Sequence, residues 1–129
     1  MQDKRMTRAW PDILRTYEEF VSHGLRLQAM IHLIAQIQQS HLKSLFGWTS
    51  MHDLCIAQTE AEYPYDGPFL RISPRFDGSL EFRYYDTPLT EWQWHRVVPE
   101  ADAFDRFVRF ADELHWFPQR IDAQRDLAS

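Results

Sequence analysis

The sequence predicts an α+β domain: N-terminal amphipathic helical segments, an antiparallel β-meander of at least three strands, and a C-terminal helix packed on one sheet face. Three observations predict it. Apolar residues recur at helical spacing from Ile13 to Leu45. An Asp77-Gly78 pair separates two runs that alternate in polarity. A second helical stripe follows the last alternating run, close to the C-terminal end of the sequence.

In chain order, residues 1–9 are polar and carry Lys4, Arg5 and Arg8, so they are expected to fray, as is the polar tail 119–129. Pro11 suits the first turn of a helix, where its missing N–H is not needed. Ile13, Tyr17, Phe20, Gly24, Leu27, Ile31, Ile34 and Leu42 then form one stripe, widened by Leu14, Val21, Met30, Ile37 and Leu45. An unbroken helix of that length would measure roughly 50 Å, against a radius of gyration near ~14 Å for such a domain. The expectation is therefore two helical segments that break at His23-Gly24, with Gly47 just past the second. Otherwise the stripe projects and pairs with a second copy, making a homo-oligomer through the first helix.

Residues 49–62 read two ways. Ser50-Met51-His52-Asp53 matches a helix cap, whereas Leu54-Cys55-Ile56-Ala57 suits a short buried strand. The stretch 60–68, with two prolines and a glycine, is a stiff exposed connection. A hairpin over 69–75 and 79–85 is predicted to turn at Phe76-Asp77-Gly78, with Gly78 left-handed. That register sets Ile72 against Phe82 and Leu70 against Tyr84, which gives one apolar and one polar face. A third strand over 91–98 is expected to lay Trp92 and Trp94 on the apolar side. Pro74 must then sit at an edge or at a gap in the ladder. The last helix is read over 100–116, with Phe104, Phe107, Val108, Ala111 and Leu114 inward and Pro118 as the stop.

The length of 129 residues fits one domain, 1–129. A net charge of −5 disfavours general nucleic-acid binding, which needs a basic surface to displace counterions. The apolar-rich window 25–37 is interrupted by Arg26, Gln28, His32 and Gln36, so no membrane span is expected. With a polar N-terminus and Cys55 as the one cysteine, a cytoplasmic protein is expected.

The chemistry is sparse. His23, His32 and His41 recur every nine residues, and His52, His95 and His115 complete the set; no two are spaced as a helical ligand pair, so no metal or other cofactor is assigned. Cys55 with His52 could approach only on a helix, and a lone Cys in an apolar run is more often a small buried hydrophobe. Glu18, Glu19, Asp102, Asp105, Asp112 and Glu113 read as solvated helix faces. No catalytic residue is assigned.

Three surfaces remain. Glu60, Glu62, Tyr63, Tyr65 and Asp66 combine rigid aromatics with carboxylates and are the expected partner-binding loop; the plainer reading folds the two tyrosines back on the sheet. Arg71, Arg75 and Arg83 on the polar face could take an anion or an acidic partner, or could be ordinary mixed charge. Phe82, Tyr84, Trp92 and Trp94 could line a pocket between sheet and helices, or fill a core. Together these features predict a small acidic, non-enzymatic binding protein of the inhibitor, immunity or antitoxin-like kind, with a protein partner that is itself basic. The alternative is a small-molecule binder or enzyme using the aromatic pocket.

Overall fold

The computed structural model describes residues 5–65 and 67–116. The chain forms α1 (Trp10–Ser22), α2 (Gln28–Gln38), β1 (Phe46–Ser50), β2 (Asp53–Ala57), β3 (Phe69–Pro74), β4 (Leu80–Tyr85), β5 (Trp94–Val98) and α3 (Ala103–Glu113). The strands make one antiparallel sheet in the order β1-β2-β3-β4-β5, and the α+β meander is as predicted.

The long stripe breaks where expected. Gly24 has φ +95°, a conformation that an L side chain resists, and it turns the chain after α1. Folding the stripe back on itself lets Ile13 and Tyr17 of α1 pack into the same core as Met30, Leu33, Ile34 and Ile37 of α2. Full burial of one such aliphatic stabilises by roughly 1.5–3 kcal/mol, which outweighs the unmade helical turns at the break. The length argument for an oligomer through the first helix loses its premise here.

The second helix stops earlier than read. It ends at Gln38, and Ser40 caps a 3₁₀ turn over His41–Ser44, its Oγ accepting from the Leu42 N–H at 3.1 Å. Gly47 is therefore not a residue past a helix end but the second residue of β1. A Cβ there would lie 2.7 Å from the Trp10 ring, so only glycine lets that indole lie against the strand. The indole N–H donates to the carbonyls of Lys43 and Leu45. Residues 50–53 are a tight turn with Met51 at φ 55°, and 53–57 take the strand reading. Residues 5–8, expected to fray, dock instead. Arg8 N–H donates to Gly47 O at 2.9 Å and Met6 N–H to Ala61 O at 2.8 Å. Backbone hydrogen bonds supply there what the composition does not.

The central hairpin has the predicted register, with Leu70 opposite Tyr84, Arg71 opposite Arg83 and Ile72 opposite Phe82. Gly78 has φ +89°, and the turn is closed by Gly78 N–H to Arg75 O and Arg75 N–H to Ser79 O. Pro74 lies past the last β2 pair, Leu54 with Ile72, so its missing donor is not needed.

Two apolar assignments are corrected. β5 begins at Trp94, not at 91, because Thr90–Trp92 forms a 3₁₀ turn that leaves Trp92 71% exposed. Alternation placed both indoles inward, but the turn rotates Trp92 off the strand. In α3, Phe110 is buried and Leu114 is exposed. Leu114 keeps the phase of Phe107, but the helix ends at Glu113 and His115 turns away at φ 55°. Pro118 and the tail lie outside the described residues.

The helices cover one sheet face. Leu54, Ile56, Leu70, Ile72, Leu80 and Phe82 meet Phe107, Phe110 and the α1–α2 stripe in one apolar cluster. Among the described residues no polar or charged residue is buried, and no helix is long and apolar enough to cross a membrane.

Candidate protein-binding surface

In an antiparallel meander the connections alternate between the two ends of the sheet. The tight turns at 51–52 and 75–79 share one end. The longer connections 58–68 and 86–93 share the other. The strand register also places Trp48, Cys55, Arg71, Arg83 and His95 in a row across the helix-free face, with Phe69 and Tyr85 beside it toward the end of the long connections.

The connection 58–68 is anchored at two points. Ala61 is buried beneath Met6, in a small cluster with Trp48, Cys55 and Ala57. Tyr65 folds back, its ring 5.6 Å from Trp48 and 6.2 Å from Phe69, and its hydroxyl donates to Pro68 O at 2.7 Å. Between the anchors the chain presents Glu62 and Tyr63, the latter 71% exposed, ahead of a cis Tyr63-Pro64 bond. Glu60 pairs with Arg5 at 2.9 Å. The five residues expected to bind together thus divide: Glu60, Glu62 and Tyr63 are exposed, Tyr65 is structural, and Asp66 lies outside the described residues.

The three arginines are each matched to a carboxylate. Arg71 donates to Asp53 at 2.6 Å and reaches Ser50 Oγ at 3.4 Å. Burial is the largest single influence and opposes the Arg71 charge, but the Asp53 hydrogen bond together with the charge interactions of Cys55, Asp53 and Tyr85 outweighs it and raises the guanidinium further above its ordinary range. Glu81 serves as a hub, 3.5 Å from Arg75, 3.9 Å from Arg83 and 3.2 Å from His95. Asp53 and Glu81 are thus interleaved with the three arginines and offset part of their charge, Glu81 being shared between Arg75 and Arg83.

The four aromatics proposed for a pocket do not come together around a space. Phe82 is wholly buried in the core, Tyr84 packs on Phe110 and Trp116, Trp94 packs on Phe110 with the guanidiniums of Arg96 and Arg106 each over its ring, and Trp92 faces solvent.

Nucleophilic chemistry finds no support. Cys55 sits on β2, whereas His52 lies in the turn before it and its ring packs edge-on against Phe20 of α1. Burial, with Asp53 adding and Arg71 opposing, pushes the Cys55 thiol up to about 11, which keeps it protonated and inert near neutrality. Burial likewise pushes the Tyr17 phenol up, and its hydroxyl donates to His52 O at 2.7 Å. Among the described residues no group of three or more His, Cys, Asp or Glu could hold a metal ion.

Sequence reasoning missed the second connection that lies at the same end of the sheet as 58–68. Residues 86–93 bring Asp86, Leu89, Glu91 and Trp92 to the same end of the sheet, with Leu89 and Trp92 exposed. The signal was present in the sequence: the connections at this end, with the strand residues Phe69 and Tyr85 that flank them, contain no Lys, Arg or His. The chain matches no protein-family profile, no curated protein and no solved structure.

Proposed function

We propose that this protein is a small acidic, non-enzymatic binding protein that engages a basic protein partner through the end of the sheet formed by 58–68 and 86–93. One observation carries the reading: the meander brings Glu60, Glu62, Asp86 and Glu91 to one end together with exposed Tyr63, Leu89 and Trp92, and neither connection contains a cationic side chain. Exposed aromatics bring large contact area at small entropy cost, and a rim that stays predominantly acidic, with Arg5 offsetting Glu60, speeds encounter with the opposite sign. An inhibitor, immunity or antitoxin-like role is the kind of function such a surface serves. The interior supports the same reading, since the space between sheet and helices is occupied by Phe82, Phe107 and Phe110.

The test is affinity capture from a native extract by the whole protein, beside a variant with Glu62→Gln, Tyr63→Ala and Trp92→Ala. The expected result is a basic protein retained at low salt by the wild type and lost from the variant. Equal retention by both, or none by either, overturns the proposal.

A further inference from the structure

Where the two long connections meet, a groove of about 390 Å³ opens between 67–69 and 85–88. That is within the roughly 300–1,000 Å³ range of small-ligand sites. One part of its wall is aromatic: the Phe69 and Tyr85 rings stack with centroids 4.9 Å apart and planes only 10° from parallel. Pro68 and Pro88 line it without adding a backbone donor, and Asp86 brings an exposed carboxylate that makes no ion pair with any described residue. Phe69 is further braced by Trp48, at 5.6 Å, and by Tyr65, so the wall is held from behind.

We infer that this groove receives an arginine side chain of the basic partner, its guanidinium stacking on the face of Tyr85 turned away from Phe69 and pairing with Asp86. The inference rests on the binding function proposed above and names the chemistry of its anchor. An aromatic face held by a ring stacked behind it, next to a carboxylate, suits a planar, delocalised cation that stacks and pairs at once, better than the compact, strongly hydrated ammonium of lysine. The rigid wall adds little ordering cost. No cationic residue within 58–68 or 86–93 competes with an incoming guanidinium for the exposed Asp86 carboxylate.

The probe is N-acetyl-arginine methylamide, titrated into the ¹⁵N-labelled whole protein, with the citrulline and lysine counterparts alongside. Saturable shifts are expected at the amides of Gly67, Phe69, Asp86 and Thr87, with no saturation by the uncharged citrulline compound and weaker binding of lysine. Asp86→Asn should weaken the arginine compound by about ten-fold, the effect of losing one charge-assisted contact. Tyr85→Leu should weaken it as well, and if that variant does not fold, Asp86→Asn alone decides. Equal binding of citrulline, an unaffected Asp86→Asn variant, or no saturable shift overturns the inference. Two results separate it from the function proposal. A captured partner that binds Asp86→Asn as well as wild type sinks the groove and leaves the binding reading; arginine binding without any captured partner does the reverse.

Discussion

The two faces of the sheet are built from the same alternating strands yet do different work. On the helix-covered face, Leu70, Ile72, Phe82 and their neighbours are sealed by three helices into one apolar cluster. On the other face, among the described residues, the buried cluster is limited to Trp48, Cys55, Ala57 and Ala61, beneath the residues 5–8 and the connection 58–68, beside a charge network around Asp53 and Glu81. The difference teaches that stability is concentrated on one side, which leaves the other side and its loop end free to carry interaction.

The comparison breaks first, and hardest, at the covered face. Phe82→Ala should cost about 3–5 kcal/mol, because the helices cannot collapse into the space that its ring leaves. A urea titration showing less than about 1 kcal/mol would mean that this face is not the main source of stability. Gly47→Ala comes next, at about 1–3 kcal/mol, since its new Cβ would collide with the Trp10 ring; the displaced indole should also give a changed fluorescence spectrum.

The buried patch on the other face should appear in the alkaline range. The Cys55 thiol titrates near 9.0 when unperturbed and near 11 in the native protein. Between those values the unfolded chain has lost a proton that the native state keeps. Stability is therefore full below about pH 9 and falls as pH rises toward 11, by roughly 1 kcal/mol per pH unit from this group. Tyr17 acts in the same direction at higher pH. Urea midpoints at about pH 8 and about pH 10.5 should differ less in Cys55→Ala than in the wild type, and equal differences would remove Cys55 as the cause.

The smallest effect is expected at the loop end. Tyr63→Ala and Trp92→Ala should change stability by no more than about 0.5 kcal/mol, as both side chains stand largely in solvent. A larger loss by thermal melting would assign them to packing rather than to recognition.

How much was legible follows the same division. The central hairpin could be read to the residue, because Asp77-Gly78 and the two alternating runs admit one register with an apolar side. The β1–β2 hairpin was hidden, because its turn uses Met51 at positive φ where glycine or asparagine would have signalled it, and because Gly47 looked like a helix stop. Trp92 and Leu114 were misplaced for one shared reason. Each continues a periodic pattern one step beyond the element that carries it. Of the candidate site, Glu62 and Tyr63 were readable from composition, whereas Asp86, Leu89 and Trp92 became part of it only once the topology put the two connections at one end.

The strand order has one more consequence. Every neighbour in the sheet is also the next strand along the chain, so no crossover has to be threaded and each pairing closes only a short segment. Such local wiring favours rapid assembly, on the order of milliseconds for a mixed domain of this kind, with hairpins zipping outward in either direction from β3–β4.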